Sequence, residues 1–291
     1  MGTTNTGYED GVAQVPDLLS LSDRFDAMLL DGFGVLNCGG DAVPGMQDTW
    51  AELRRRGVQL LILSNGSTGQ ISDAVGKYRA FGYPVDEDDV LTSRDATRVA
   101  LRHHAREHPN WRWGVSPMGG RSLDDLDGQF VELDPDSSWE DVDGILLMTT
   151  VSWTHALTEA LYTKVVDRPR PIWVANPDVT APFPTHFSLE PGYLARRLAQ
   201  LADIEVHWFG KPHVEVYDLA FERLYATNPK LSKDRILMVG DSPHTDVLGA
   251  RRAGIASCMT VDFGLLRGQD LRARTREAGI WPDFVCVSGR W

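Results

Sequence analysis

Cysteine is scarce in this chain: three residues in 291, Cys38, Cys258 and Cys286, far apart along the sequence. An odd, scattered set excludes a disulfide framework and a cysteine-rich metal site, and it points to a reducing compartment. Long apolar runs are missing as well. Nothing approaches the ~18 consecutive apolar residues that a bilayer-spanning helix needs. The opening MGTTNTGYEDGVAQVPDL has neither a basic start nor an apolar middle, so no secretory signal is expected. Met1-Gly2 with Thr6 fits the loose N-myristoylation pattern, although a plain polar tail accounts for the same residues. Basic residues are the minority, 29 Lys and Arg against 41 Asp and Glu, for a formal net charge of −12. Such a surface repels phosphate backbones and anionic lipid, which excludes nucleic-acid or membrane binding as the main task. What is present is a 42% hydrophobic share, enough for one or two cores, in a length that suggests two domains. The expectation is a soluble, acidic, cytoplasmic protein.

Strand and helix signals alternate. DAMLLDGFGVL, from Asp26 to Leu36, is an apolar run that stops at Asp31 and enters a glycine-containing loop. Pro44 opens a helical pattern through Met46, Trp50 and Leu53, with Gly57 as its stop. Val58 to Leu63 is a second apolar strand, broken at Ser64-Asn65-Gly66, and another helix follows to about Phe81. Further on come a strand from Ile204 to Phe209 ending at Gly210-Lys211-Pro212, a helix with Val216, Tyr217, Ala220 and Leu224 on one face, and a strand from Arg235 to Val239 ending at Gly240-Asp241. A helix from about Thr245 to Gly254 and a strand from Ser257 to Val261 close the series. This alternation predicts a parallel sheet with right-handed crossovers, an α/β doubly wound fold. The middle of the chain differs in texture but carries its own helices (Asp95–Glu107, His155–Val166, Pro191–Leu201) and strands (Ile145–Thr149, Ile172–Ala175). Residues 1–92 and 207–291 are therefore read as two parts of one core, and 93–206 as an inserted α/β domain.

Four segments each place a polar residue just beyond an apolar strand: Asp31, Ser64, Lys211 and Asp241. Ligands of open parallel sheets bind outside the carboxyl ends of the strands, so all four are expected on one rim. Two carboxylates sharing a site need a cation between them. A hard ion such as Mg²⁺, which takes carboxylates together with substrate phosphate, suits them. A lysine and a hydroxyl suit the remaining phosphate oxygens. Singly, each has a plainer reading. Asp31 and Ser64-Asn65-Gly66 are also turn residues, Lys211 also reads as a solvated lysine, and Asp241 with Asp246 also reads as a helix cap.

These segments together resemble the haloacid dehalogenase superfamily of aspartate-nucleophile phosphatases. The resemblance is strongest to its NagD-like class IIA branch, which carries a large α/β cap between the second and third motifs. Asp31 in LLDGFGVL matches the nucleophile motif, Ser64-Asn65-Gly66 the second, Gly210-Lys211-Pro212 the third, and GDSPHTD from Gly240 to Asp246 the fourth. Ala175-Asn176-Pro177-Asp178, followed by Pro191-Gly192, is similar to the cap segment of the branch. The resemblance implies a Rossmann-like core with a C2-type cap, and phosphatase activity on a small phosphorylated metabolite through an aspartyl-phosphate on Asp31. It implies Mg²⁺ held by Asp31, the carbonyl of Phe33, Asp241 and Asp246. It implies phosphate held by Ser64, Asn65, Gly66 and Lys211, with Lys211 also serving catalysis. Asn176 and Asp178 would face substrate from the cap. A homodimer is compatible with it.

One position departs from the family pattern. Where the family carries a second aspartate, two residues after the nucleophile, this chain has Phe33, which can neither protonate a leaving oxygen nor activate water. General acid–base help is worth roughly 10²–10⁴ in rate. Three readings follow: a phosphatase whose substrates leave readily or whose proton comes from another group, such as Asp178 or His186; a phospho-ligand-binding or interaction protein without turnover; or a dehalogenase, since halide-releasing relatives carry an aromatic residue there. The third has little use for the Asp241/Asp246 pair. Elsewhere, His103, His104 and His108 read as a solvated helix face. Arg54-Arg55-Arg56 reads as cations at a helix end. Trp111 and Trp113 read as packing beneath the cap.

Overall fold

A computed structural model describes residues 11–136, 139–182 and 185–286. The Met1, Gly2 and Thr6 pattern lies outside the described residues. Seven parallel strands form one sheet in the order Ala13–Val15, Phe284–Cys286, Ala256–Thr260, Ile236–Gly240, Ala27–Leu30, Gln59–Ser64, Val90–Thr92. A parallel sheet covered on both faces favours continuous apolar strands. Accordingly Ala27–Leu30 and Ile236–Gly240 are buried at every residue. Strands added after Ala27–Leu30 lie on one side of it, while those from Ile236 onward lie on the other. The order thus reverses between these two central strands, the switch point at which ligands of such sheets bind. Leu30 pairs with Val239, so Asp31 and Asp241 leave neighbouring strand ends.

A second parallel sheet has the order Val206–Trp208, Ile172–Val174, Gly144–Leu147, Arg112–Val115, Gln129–Glu132. The two architectures together are α/β, as the alternation of signals predicted. One strand sits elsewhere than expected. The segment Val206–Trp208 pairs with Ile172–Val174 at the edge of the smaller sheet rather than joining the large one. The sequence pattern of a short strand before a glycine is the same in either sheet, and only pairing partners distinguish them.

The helices follow their local signals. Pro191–Leu201 begins on a proline at its first turn. Ser93–Glu107 starts at a capping box in which Thr92 and Asp95 each hold the other's backbone N–H. One continuous apolar cluster joins the large sheet (Leu29, Leu61, Leu63) through Leu101 and Phe221 to the small one (Val115, Leu146, Trp173). Trp113 is buried in that cluster, 4.7 Å from Trp173 between ring centroids. His104 is not a solvated residue. Its ring lies 5.0–5.2 Å from those of Trp111, Trp113 and Trp173, and burial pulls its pKa down. His103, on the helix, and His108, just after its end, are exposed as expected. None of the three cysteines forms a disulfide, and no helix among the described residues is long and apolar enough to cross a membrane.

Candidate active site

Asp31 is the first residue beyond the central strand Ala27–Leu30. Its backbone N–H still bonds to Val239, so the carboxyl is held at the strand end. Oδ1 accepts from the Gly32 N–H at 2.6 Å. Lys211 Nζ stands 2.7 Å from the same oxygen and 2.8 Å from Asp246 Oδ1. The Lys211 side chain is 1% exposed, and so is that of Asp246.

Asp241 follows the neighbouring strand, and Leu265 N donates to its Oδ2 at 2.6 Å. A wide helical turn, Pro243–Val247, folds Asp246 back beneath it. Asp246 Oδ2 then accepts from the N–H groups of Asp241 (3.1 Å) and Ser242 (3.0 Å). Carboxylate oxygens of Asp31, Asp241 and Asp246 lie within 4.8 Å of one another.

Lys211 comes not from the large sheet but from the loop after the smaller sheet's edge strand. Asn65 anchors it there. The Asn65 side chain accepts from Lys211 N at 2.7 Å and donates to Lys211 O at 2.9 Å and to Asp178 Oδ1 at 2.8 Å. Both amide hydrogens are therefore engaged, and the side chain positions Lys211 and Asp178. Gly210, with φ +99°, makes room: a Cβ there would meet Asn65 Oδ1 at 2.7 Å. Ser64 Oγ accepts from Gly66 N at 3.2 Å.

The electrostatics follow from burial. Burial pushes the Asp31 carboxyl up to about 6; Lys211 opposes this and Asp246 adds to it. Asp241 is pushed well above the carboxylate range by burial and by the charges of Asp31 and Asp246. Burial alone would lower the Lys211 ammonium, but Asp246 and Asp31 more than offset it and hold it above the usual lysine range. Three largely buried carboxyl groups against one ammonium leave an excess of acidic groups in the site. Burying such charge unpaired is costly, and a divalent cation would neutralise it. Asp31 Oδ1 and Asp241 Oδ2 each accept a backbone N–H, and Asp246 already holds Lys211 and two backbone amides.

These groups open into a cavity of about 800 Å³. Phe33, Ser64, Asn65, Gly66, Asn176 and Asp178 all line it. Asn176 donates to Glu190 Oε2 at 3.0 Å. Burial pushes Asp178 up to about 7. His186, by contrast, is exposed and is not part of the cavity wall. Lys77, which the sequence reading passed over, stands 4.7 Å from the Phe33 ring centroid and is pulled down to about 8 by burial. Nothing local marks it, because the helix Ile71–Ala80 that carries it reads as an ordinary amphipathic helix.

Gly264 is a sensitive support of the centre. A Cβ there would lie 2.2 Å from Asp241 Cβ and 2.4 Å from its Oδ2. Gly264→Ala should displace the Asp241 carboxylate, and calorimetric Mg²⁺ affinity should fall by about tenfold or more in a folded protein. Unchanged affinity would show that Asp241 keeps its place despite the contact.

Comparison with known proteins agrees with this arrangement. A family model described as haloacid dehalogenase-like hydrolase matches residues 28–117, and a second, HAD-hydrolase-like, matches residues 208–288. A 4-nitrophenylphosphatase from Schizosaccharomyces pombe is 24% identical over 287 residues, covering 91% of this chain and 92% of the relative. In fold, a possible sugar phosphatase from Cytophaga hutchinsonii superposes with a TM-score of 0.82 at 22% identity, covering 96% and 99% of the two chains. NagD from Escherichia coli superposes at 0.64 with 19% identity, covering 91% and 97%. With family matches on both halves of the large sheet (residues 28–117 and 208–288), this chain belongs to the haloacid dehalogenase-like hydrolases, and it shares its fold with NagD over 91% of its length.

Proposed function

We propose that this protein is a Mg²⁺-dependent phosphatase of a small phosphorylated metabolite, with residues 93–206, extended to Trp208 by the pairing of Val206–Trp208 with the smaller sheet, acting as a cap over the core formed by 1–92 and 209–291. The observation that carries this reading is the buried Asp31–Lys211–Asp246 arrangement beside Asp241, a nucleophile and a charge clamp at the switch point of the sheet. Asp31 and Asp241, with the Phe33 carbonyl, would hold the metal, and Asp246 would fix Lys211 and the Asp241 backbone against it. Bound there, the ion supplies Lewis-acid neutralisation of charge on the phosphoryl oxygens. Lys211, Ser64 and the Asn65-Gly66 backbone would orient the phosphoryl group. Asp31 attacks phosphorus, the bond to the leaving oxygen breaks, and water later hydrolyses the aspartyl-phosphate, regenerating the carboxylate. Three cysteines outside any disulfide support a reducing, cytoplasmic setting.

The missing acid at position 33 has a substitute in Asp178. Its carboxyl lines the same cavity and, held up to about 7, carries a proton over much of the neutral range. It would protonate the leaving oxygen and recover the proton from the attacking water. Two substitutions test this with Mg²⁺ present. Asp178→Asn should lower turnover of an alkyl phosphate roughly 10²-fold while sparing p-nitrophenyl phosphate, whose phenolate leaves without a proton. Phe33→Asp should raise alkyl-phosphate turnover, with p-nitrophenyl phosphate little changed. An equal loss on both substrates in Asp178→Asn would assign that residue to binding alone. Absence of any Mg²⁺-dependent phosphate release by the native protein, alongside Mg²⁺-dependent thermal stabilisation, would instead favour the ligand-binding reading raised by Phe33.

A further inference from the structure

The outer wall of the cavity carries cations that this chemistry does not use. Arg196, on the helix Pro191–Leu201, and Arg252, on the helix Leu248–Ala253, both line it together with Trp208 and His213. The Arg196 guanidinium sits 5.1 Å from the Trp208 ring centroid, and Trp208 lies parallel to the His213 ring at 5.9 Å. Arg252 Nη1 donates to Pro212 O at 3.4 Å. Burial lowers the His213 pKa; Glu215 opposes this, and Arg252 and Arg196 reinforce it, so both guanidinium groups bear on one ring. Among the described residues neither arginine forms an ion pair with a carboxylate. Arg54, Arg94 and Arg235, by contrast, each lie on one. Two acids of the same cavity are bonded by neutral donors rather than by these arginines. Asp178 is bonded by Asn65, and Glu190 by Asn176 and Ser188.

Two exposed guanidinium groups without a carboxylate partner, on the wall of a cavity open to solvent in a chain of net charge −12, form a local positive patch. A volume of about 800 Å³ leaves room well beyond one phosphoryl group. Guanidinium recognises carboxylate and phosphate through paired N–H donors. We propose that Arg196 and Arg252 form a subsite for a second anionic group, carboxylate or phosphate, on the phosphorylated substrate. The proposal rests on the phosphatase reading for the first anion, and it selects substrates by their far end.

The test uses the full chain with Mg²⁺ and three matched pairs: 3-phosphoglycerate against glycerol 3-phosphate, 6-phosphogluconate against glucose 6-phosphate, and fructose 1,6-bisphosphate against fructose 6-phosphate. The first two pairs read a carboxylate and the third a phosphate. In at least one pair the doubly anionic member should show a KM about tenfold lower. Arg196→Gln with Arg252→Gln should erase that preference by raising this KM, with kcat kept, while p-nitrophenyl phosphate, which lacks a second anion, changes less than about twofold. No preference in any pair, or a loss on p-nitrophenyl phosphate as large as on the doubly anionic substrate, overturns the subsite. Failure of the phosphatase reading shows differently, as no phosphate release from any substrate. Calorimetric titration of the same pairs then decides: tighter binding of the doubly anionic member that the double variant loses upholds the subsite, and equal or absent binding overturns it.

Discussion

Asp31→Asn should lower kcat for p-nitrophenyl phosphate by at least about 10⁴-fold while leaving the fold intact, as loss of a covalent nucleophile does elsewhere. An amide keeps the shape and the Gly32 contact but cannot form an acyl phosphate. The same variant separates catalysis from stability. Burial holds the Asp31 carboxyl up to about 6, so its ionised form is disfavoured by folding. A carboxyl raised in the folded state destabilises progressively as pH climbs from the unfolded value near 4 to the folded value, and the cost is complete above it. Without Mg²⁺, Asp31→Asn should therefore melt higher than the native protein at pH 8, with the gain fading toward pH 4. With Mg²⁺ the gain should shrink, because the cation stabilises the carboxylate. Native-like turnover in the variant would end the assignment of the nucleophile, whatever happens to the melting point.

Lys211→Met should be the most damaging change to the metal-free protein. Among the described residues it removes the only ammonium ion-paired with Asp31 and Asp246, leaving those carboxylates without it. Breaking a buried pair from one side typically costs ~3–5 kcal/mol. For a chain of this size that corresponds to a Tm lower by about 10 °C. The loss should widen between pH 5 and 8, because the freed carboxylates escape the penalty by taking up protons only at the lower pH. Saturating Mg²⁺ should recover part of it. Turnover should fall about 10²–10³-fold, the usual effect of removing one preorganised donor from developing charge. Differential scanning at several pH values, with and without Mg²⁺, checks the stability limb; a Tm difference independent of pH would show that Lys211 contributes packing rather than charge.

Much of the centre was legible beforehand for one reason: strand ends announce themselves. Ala27–Leu30 and Ile236–Gly240 are buried on both faces, so they appear as apolar runs, and the polar residue that terminates each is conspicuous. Asp31, Ser64 and Asp241 fall at such ends. Lys211 was picked for the same reason, and the structure brings it to the site by another route, from the edge of the smaller sheet through a loop clamped by Asn65. The role of Asn65 was not readable, since an amide that bonds a backbone 146 positions away leaves no local trace. Arg196, Trp208 and Arg252 were missed on the same ground. They come from the helix Pro191–Leu201, the edge strand Val206–Trp208 of the smaller sheet and the helix Leu248–Ala253, each ordinary alone.

From the sequence alone came the alternation of strands and helices, the polar residues at the strand ends and the anomaly at Phe33, because each depends on short spacings along the chain. Only the tertiary structure decided that Val206–Trp208 pairs with the smaller sheet, that Asn65 anchors Lys211 and Asp178, that His104 packs among tryptophans, and that two arginines share one cavity wall. Strand pairing, burial and charge proximity are set by contacts between distant segments, and those contacts exist only once the two sheets have packed through their common apolar cluster.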